Sequence, residues 1–214
     1  MISTYLIDDH AAVRAGFRFL LEAEDDINVI GEASSSEGAF PECMQLNPDV
    51  IVVDISMPGE GGLAFIRKLL GKNSQAKILV MSMHDDETFV SHAIQLGASG
   101  YVSKSGDPQE LAKAVQSIAS GKKWITAEIA QQLVFNMGAG QDSPVEVLTT
   151  REFEIFILLS EGNSVNEIAS TLHISPKTVN VHRANIMEKL QVKNAVQLAH
   201  IAVKTGMLHM TPLK

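Results

Sequence analysis

A single cysteine, Cys43, stands among 214 residues, so neither an internal disulfide nor a cysteine-based zinc cluster can form. That scarcity suits a reducing compartment, and Cys43 itself reads as a small apolar residue of a helix. No apolar run approaches the roughly 18–20 residues of a membrane span. The opening MISTYLIDDH carries acids where a signal peptide needs Lys or Arg. The expectation is a cytoplasmic protein with no membrane insertion. Internal repeats are missing as well. A hydrophobic content of 45% with 20% charged residues excludes wholesale disorder. An overall basic excess is also absent, since the net charge is −8, but the charge is unevenly spread. Residues 1–120 hold 17 acids and 8 bases, whereas residues 148–214 hold 5 acids and 7 bases. An acidic half joined to a mildly basic one is compatible with a control domain attached to a nucleic-acid reader.

What is present begins with alternation. Short apolar runs predict strands at Thr4–Ile7, Ile27–Gly31, Val50–Val53, Ile78–Met81 and Gly100–Val102. Each is followed by helical spacing, at 11–23, 36–46, 62–70, 86–96 and 108–120. Five such units imply an α/β, doubly wound, five-stranded parallel sheet of the flavodoxin-like type. Runs such as DVIVVD and KILVMS suit strands covered on both faces. Asn47-Pro48 ends one helix, Met57-Pro58-Gly59 breaks the chain after the third strand, and Asp107-Pro108 opens the fifth helix. Past residue 120 the strands cease. A short helix is expected at 127–136 and a linker at 137–146. Four helices at about 150–160, 164–171, 176–190 and 194–204 then make an all-α second domain. The expected division is 1–120, a connection at 121–146, and 147–214, with Trp124 packing the connecting helix.

In a parallel α/β sheet, chemistry gathers where strands end at their carboxyl edge. Here the first strand ends in Asp8-Asp9, the third in Asp54, the fourth in Ser82, and the fifth, after Tyr101, in Lys104. Carboxylates converging there repel one another unless a cation intervenes, and oxygen ligands favour Mg²⁺. Asp8, Asp9, Asp54 and Ser56 are the expected metal set. A metal and an ammonium that neutralise phosphoryl oxygens, with the Ser82 hydroxyl beside them, form a phosphoryl receptor in which Asp54 is the natural nucleophile. His84, two residues past Ser82, stands where it would influence water attack or simply be solvated, and the other histidines show no metal-ligand spacing. An aspartate-nucleophile phosphohydrolase would want a second acid two residues after Asp54, where Ser56 stands.

In the second domain, Ser175 is a good N-cap and Pro176 suits the first helical turn. Along 176–190, Val179, Ile186 and Leu190 share an inward stripe with His182 and Arg183 at its edges. The opposite face carries Lys177, Asn180, Val181, Ala184 and Glu188. Asn180 can pair with an adenine edge, and Val181 and Ala184 can touch thymine methyls. Arg183 either contacts phosphate or pairs with a domain acid such as Glu152.

The motifs IDDH, DISMPGEGG and GASGYVSK, in this order, resemble the receiver domain of two-component response regulators. Leu-Thr-x-Arg-Glu at 148–152, Glu167-Ile168-Ala169, Ser175 through His182 and Lys189-Leu190 resemble the LuxR-type helix-turn-helix domain. The whole chain resembles the NarL/FixJ class that joins the two, and within it residues 175–190 are similar to regulators of hexose-phosphate uptake. The resemblance implies phosphorylation of Asp54 by a sensor histidine kinase, Mg²⁺ as cofactor, Ser82 and Lys104 as phosphate contacts, and Tyr101 as the switching aromatic. It implies no metabolic enzyme activity. Many receivers carry proline after the lysine, where Ser105 follows Lys104 here. Double-stranded promoter DNA, RNA polymerase and a second copy of the chain are the implied partners of the second domain, with Lys177, Asn180, Val181, Arg183 and Ala184 on the DNA. Its small charge favours binding as a dimer formed on phosphorylation, for which Ala195, Leu198, Ala199 and Ala202 are the expected small-residue face.

Overall fold

In a computed structural model, residues 1–57, 61–82, 87–125, 144–145, 147–205 and 207 are described. The chain divides into two compact units, one of Met1–Asp85 with Val90–Gln132 and one of the remaining residues. The expected helix at 127–136, most of the expected linker, Pro58-Gly59 and His84 lie outside the described residues.

The first unit is a parallel sheet in the order β2-β1-β3-β4-β5-β6. Its strands are β1 (Ile2–Ile7), β2 (Ile27–Ala33), β3 (Val50–Asp54), β4 (Ile78–Ser82), β5 (Gly100–Ser103) and β6 (Trp124–Ile125). Helices α1 (Ala11–Glu22), α2 (Ser36–Leu46), α3 (Gly61–Lys72), α4 (Glu87–Leu96) and α5 (Gln109–Ala119) connect them. Every residue of β3 and β4 is buried, as unbroken apolar runs require of strands covered on both faces. Local signals hold the helix ends. Ser35 caps α2 by accepting from the Gly38 N–H, Asn47 closes it in the left-handed region at φ 46°, and the Asp107 carboxylate accepts from the Gln109 N–H at 2.9 Å.

The sheet has six strands, one more than expected. Trp124 and Ile125 pair with Gly100 and Tyr101, so Trp124 belongs to an edge strand packed on the sheet's core rather than to a connecting helix. Gly100 permits this approach, because a Cβ there would lie 2.5 Å from the Trp124 carbonyl oxygen. Register places the strand ends side by side. Ile7 faces Val53, Asp54 faces Met81 and Ser82 faces Ser103. The order reverses between β1 and β3, where an open α/β sheet has its crevice.

The second unit is helical: α6 (Thr150–Ser160), α7 (Val165–Thr171), α8 (Pro176–Lys189) and α9 (Ala195–Lys204). Thr149 with Glu152 and Ser164 with Glu167 form reciprocal capping boxes, while Ser175 and Asn194 cap the next two helices. Phe153, Phe156, Ile168, Val179, Ile186, Leu198 and Ala202 are buried between them. Leu198 and Ala202 therefore serve this core, and the small-residue face expected on the last helix is not free. Outward on α9 stand Val196 and Val203 instead.

Candidate functional site

Each acidic or basic residue of the first site is placed by the end of its own strand. Lys104, whose side chain is 4% exposed, sets its Nζ 2.6 Å from Asp8 Oδ2 and 2.7 Å from Asp54 Oδ2. The ammonium thus bridges carboxylates that residue spacing alone separates by tens of positions. Burial pushes the Asp54 carboxyl above its ordinary value; the Lys104 ammonium and the Ser56 N–H oppose that, and Asp8 adds to it. The Ser56 N–H donates to Asp54 Oδ1 at 2.9 Å, and the Ser56 hydroxyl lies 3.3 Å from that of buried Ser82. Ser56 thus presents its hydroxyl to Ser82 rather than to the carboxylates.

Asp9 is more open, and its Oδ1 lies 2.9 Å from His10 Nδ1. Ligand atoms of Asp8, Asp9, His10 and Asp54 all lie within 4.8 Å of one another. Three carboxylates against one ammonium leave two negative charges to be met. That donor set fits a divalent cation. His10 was missed by reasoning on histidine spacing, although its position directly after the Asp8-Asp9 pair was a signal.

Tyr101 is fully buried in β5. After it, the loop without proline is held by serines: Ser103 Oγ and Ser105 Oγ are 2.7 Å apart, the Ser105 N–H donates to Ser103 Oγ, and the Lys104 N–H donates to the Ser82 carbonyl at 2.8 Å. These bonds hold the turn that delivers the lysine.

The second site is the outer face of α8. Val179 and Ile186 are fully buried, Leu190, His182 and Arg183 are half-buried, and Lys177, Asn180, Val181, Ala184 and Glu188 are all exposed. Val181, a β-branched apolar residue, is 54% exposed on this face. The partner of Glu152 is Lys189, at 2.6 Å, and not Arg183. Burial works against the ionised form of Glu152, but Lys189 and Thr149 outweigh it and hold the carboxyl below its ordinary value. Arg151 reaches Glu154 at 2.8 Å and the Leu172 carbonyl at 3.1 Å, so this motif ties α6 to the rest of the domain.

A crevice of carboxylates and lysine thus lies at the carboxyl edge of the parallel sheet, and a separate helical unit carries a polar outward helix. Family comparisons name both units. Residues 5–116 match the response regulator receiver domain, and residues 146–202 match the bacterial regulatory proteins of the luxR family. The response regulator UvrY of Escherichia coli is 39% identical over 209 residues, covering 97% of this chain and 96% of UvrY. GacA of Pseudomonas aeruginosa is 36% identical over 210 residues, covering 97% and 98%. RcsB from Salmonella enterica serovar Typhimurium, solved on promoter rprA with the phosphomimetic BeF3−, superposes with a TM-score of 0.78 at 28% identity over 94% of this chain and 97% of that one. The chain belongs to the response regulators that carry a receiver and a LuxR-type DNA-binding domain. UvrY and GacA match along nearly the whole chain, whereas the likeness to hexose-phosphate regulators concerns residues 175–190 alone. No helix among the described residues is long and apolar enough to cross a membrane.

Proposed function

We propose that Asp54 accepts a phosphoryl group from a phosphohistidine of a sensor histidine kinase and that the modified protein binds promoter DNA as a homodimer. The observation that carries this reading is the buried Lys104 ammonium held between Asp8 and Asp54. An Asp54 carboxylate oxygen attacks phosphorus, the bond from phosphorus to the kinase histidine nitrogen breaks, and that nitrogen keeps the electron pair. Asp8, Asp9 and Asp54 would hold Mg²⁺, which when bound would neutralise phosphoryl oxygens. Lys104 turns its ammonium from the carboxylates to the incoming oxygens, and Ser82 donates its hydroxyl to one of them. Ser56, expected in the metal set, instead orients Asp54 through its N–H and places its hydroxyl beside Ser82. Tyr101, packed inside β5, is the aromatic whose rotation follows the movement of Ser82 and biases the module toward its active state.

On the DNA side, Asn180, Val181 and Ala184 face base edges, and Lys177 and Arg183 face phosphates. A domain with so few cations gains from pairing, for which exposed Val196 and Val203 offer an apolar strip. RNA polymerase is the further partner of a promoter-bound dimer. The neighbouring RcsB structure was solved on a promoter with a phosphomimetic, which supports the same reading here. The test is label from acetyl phosphate: it should enter the parent protein and not Asp54→Asn. Incorporation into that variant at the parent rate overturns the assignment.

A further inference from the structure

The peptide unit that joins Asp8 to Asp9 is held by a side chain that is not one of the acids or the lysine of the crevice. Asp8 leaves β1 with its N–H donating to the Ala33 carbonyl at 3.1 Å. Its carboxylate is fixed at both oxygens, by the His10 N–H at 2.8 Å and by Lys104 Nζ at 2.6 Å. Its carbonyl accepts from Arg14 Nη1 at 2.5 Å, from the first turn of α1. A peptide unit is planar, so the direction of that carbonyl also sets the backbone from which Asp9 departs. One guanidinium therefore governs the angle between two of the acids. Simple charge pairing does not account for this arginine. Its side chain is 16% exposed, and taking a guanidinium out of water is costly unless its donors are used. Glu32 of β2 stands 3.6 Å from Arg14 Nε, beyond hydrogen-bond reach, and is shared with Arg18, whose Nη1 lies 3.9 Å from it. Arginine placed for pairing commonly takes a carboxylate in a two-bond fork. Here Glu32 steers the guanidinium, and the hydrogen bond goes to the main chain of Asp8.

We infer that Arg14 is a positioning residue for phosphoryl transfer, holding the Asp8–Asp9 peptide so that both carboxylates converge on one point. The inference rests on the function proposed above and concerns a residue outside the set of acids assigned there. Groups that only orient metal ligands typically cost 10–100-fold in metal affinity when removed. Charge alone predicts the opposite, because taking a cation away from near the acids strengthens their attraction for a divalent ion. The sign of the change in Mg²⁺ affinity therefore separates positioning from electrostatics.

The experiment titrates the full-length parent, Arg14→Met and Arg14→Lys with Mg²⁺ by calorimetry and follows label from acetyl phosphate over the same Mg²⁺ range. Arg14→Met should bind Mg²⁺ at least about tenfold more weakly. The Mg²⁺ needed for half-maximal labelling should rise to match, while the rate at saturating Mg²⁺ stays within about twofold of the parent. Arg14→Lys, which keeps the charge but loses the planar fork, should fall between the two. Should Arg14→Met not fold, Arg14→Gln, with a polar end in the same space, is read by the same criteria. Mg²⁺ affinity that is unchanged or tighter in the neutral variant overturns this inference alone, and so does a labelling rate that stays low at saturating Mg²⁺. A parent that binds no Mg²⁺ or takes no label overturns the proposed function and the inference together.

Discussion

Lys104→Ala is the sharpest perturbation of the carboxylate crevice. In the parent, one ammonium contacts Asp8 at 2.6 Å and Asp54 at 2.7 Å, and all three side chains are nearly inaccessible to water. Removing one member of such a buried pair costs about 3–5 kcal/mol, because an uncompensated charge is left inside. Here two carboxylates lose the same partner, so the upper half of that range is expected in EDTA. Mg²⁺ at about a hundred times its dissociation constant contributes about 2.7 kcal/mol to any state that binds it. The parent gains the same amount at the same saturation, so the deficit shrinks in Mg²⁺ only by as much as the variant, freed of the competing ammonium, binds the ion more tightly. The pH dependence has a definite sign. Burial already holds Asp54 above its ordinary value, and loss of the ammonium raises it further. An acid raised by folding favours the folded state below its unfolded pKa, and that advantage disappears as pH climbs through the folded pKa. The deficit should accordingly be small near pH 4, about the ordinary carboxylate value, and largest well above it. Urea unfolding in EDTA and in Mg²⁺ at both ends of that range measures it. Equal stability of variant and parent in EDTA at high pH would refute the claim that Lys104 neutralises the pocket.

Asn180→Ala should lose about 1–3 kcal/mol at a single base position and leave non-specific binding nearly unchanged, whereas Lys177→Ala should weaken all sequences alike and flatten the salt dependence; competition against cognate and random duplexes separates the two. Lys189→Ala should destabilise the helical unit by about 1–2 kcal/mol at neutral pH, less than a fully buried pair because Lys189 is 37% exposed. Glu152 lies below its ordinary value in the parent, so its contribution is present above its unfolded pKa and lost as pH falls through the folded one. The gap between variant and parent should therefore close in acid, as followed by helical circular dichroism. A fragment of residues 144–214 should bind cognate DNA without phosphate while the full-length chain requires phosphorylation; footprinting at equal concentrations checks this, and equally tight binding by the unphosphorylated full chain overturns the dependence on phosphorylation.

The strands β3 and β4 were legible because a doubly covered strand has to be apolar throughout, and short runs such as VIVV and ILVM between turn residues and helical segments fit that. Strand ends then followed, and with them Asp8, Asp54, Ser82 and Lys104. Strand β6 was not legible, because two residues are too short for any period and the pairing depends on Gly100 having no side chain. Nor was the slip between β1 and β2, where Thr4 faces Val29 but Tyr5 faces Gly31. The Tyr5 ring would lie 2.5 Å from a Cβ at Gly31, and its hydroxyl reaches Glu42 at 2.7 Å, a contact between residues 37 positions apart. The helical unit was read nearly to the residue because its caps are local: Thr149, Ser164, Ser175 and Asn194 each bond within three positions. What local reading missed was the inward duty of Leu198 and Ala202, and Lys189 as the partner of Glu152. Both depend on where distant helices meet. Cys43 is the small buried residue expected, its thiol pushed up to about 12 by burial.

The division of labour on α8 bears on how such a regulator diverges after gene duplication. Val179 and Ile186 anchor the helix, while Asn180, Val181 and Ala184 carry none of the domain's buried packing. If these outward positions form the proposed reading face, substitutions there change what is read with little effect on whether the domain folds, since surface changes away from caps and cores usually stay within about 0.5 kcal/mol. A duplicated copy can thus drift to a new set of promoters through stable intermediates, with its receiver unaltered. The reading face is in this sense a replaceable vocabulary on a fixed grammar of helices.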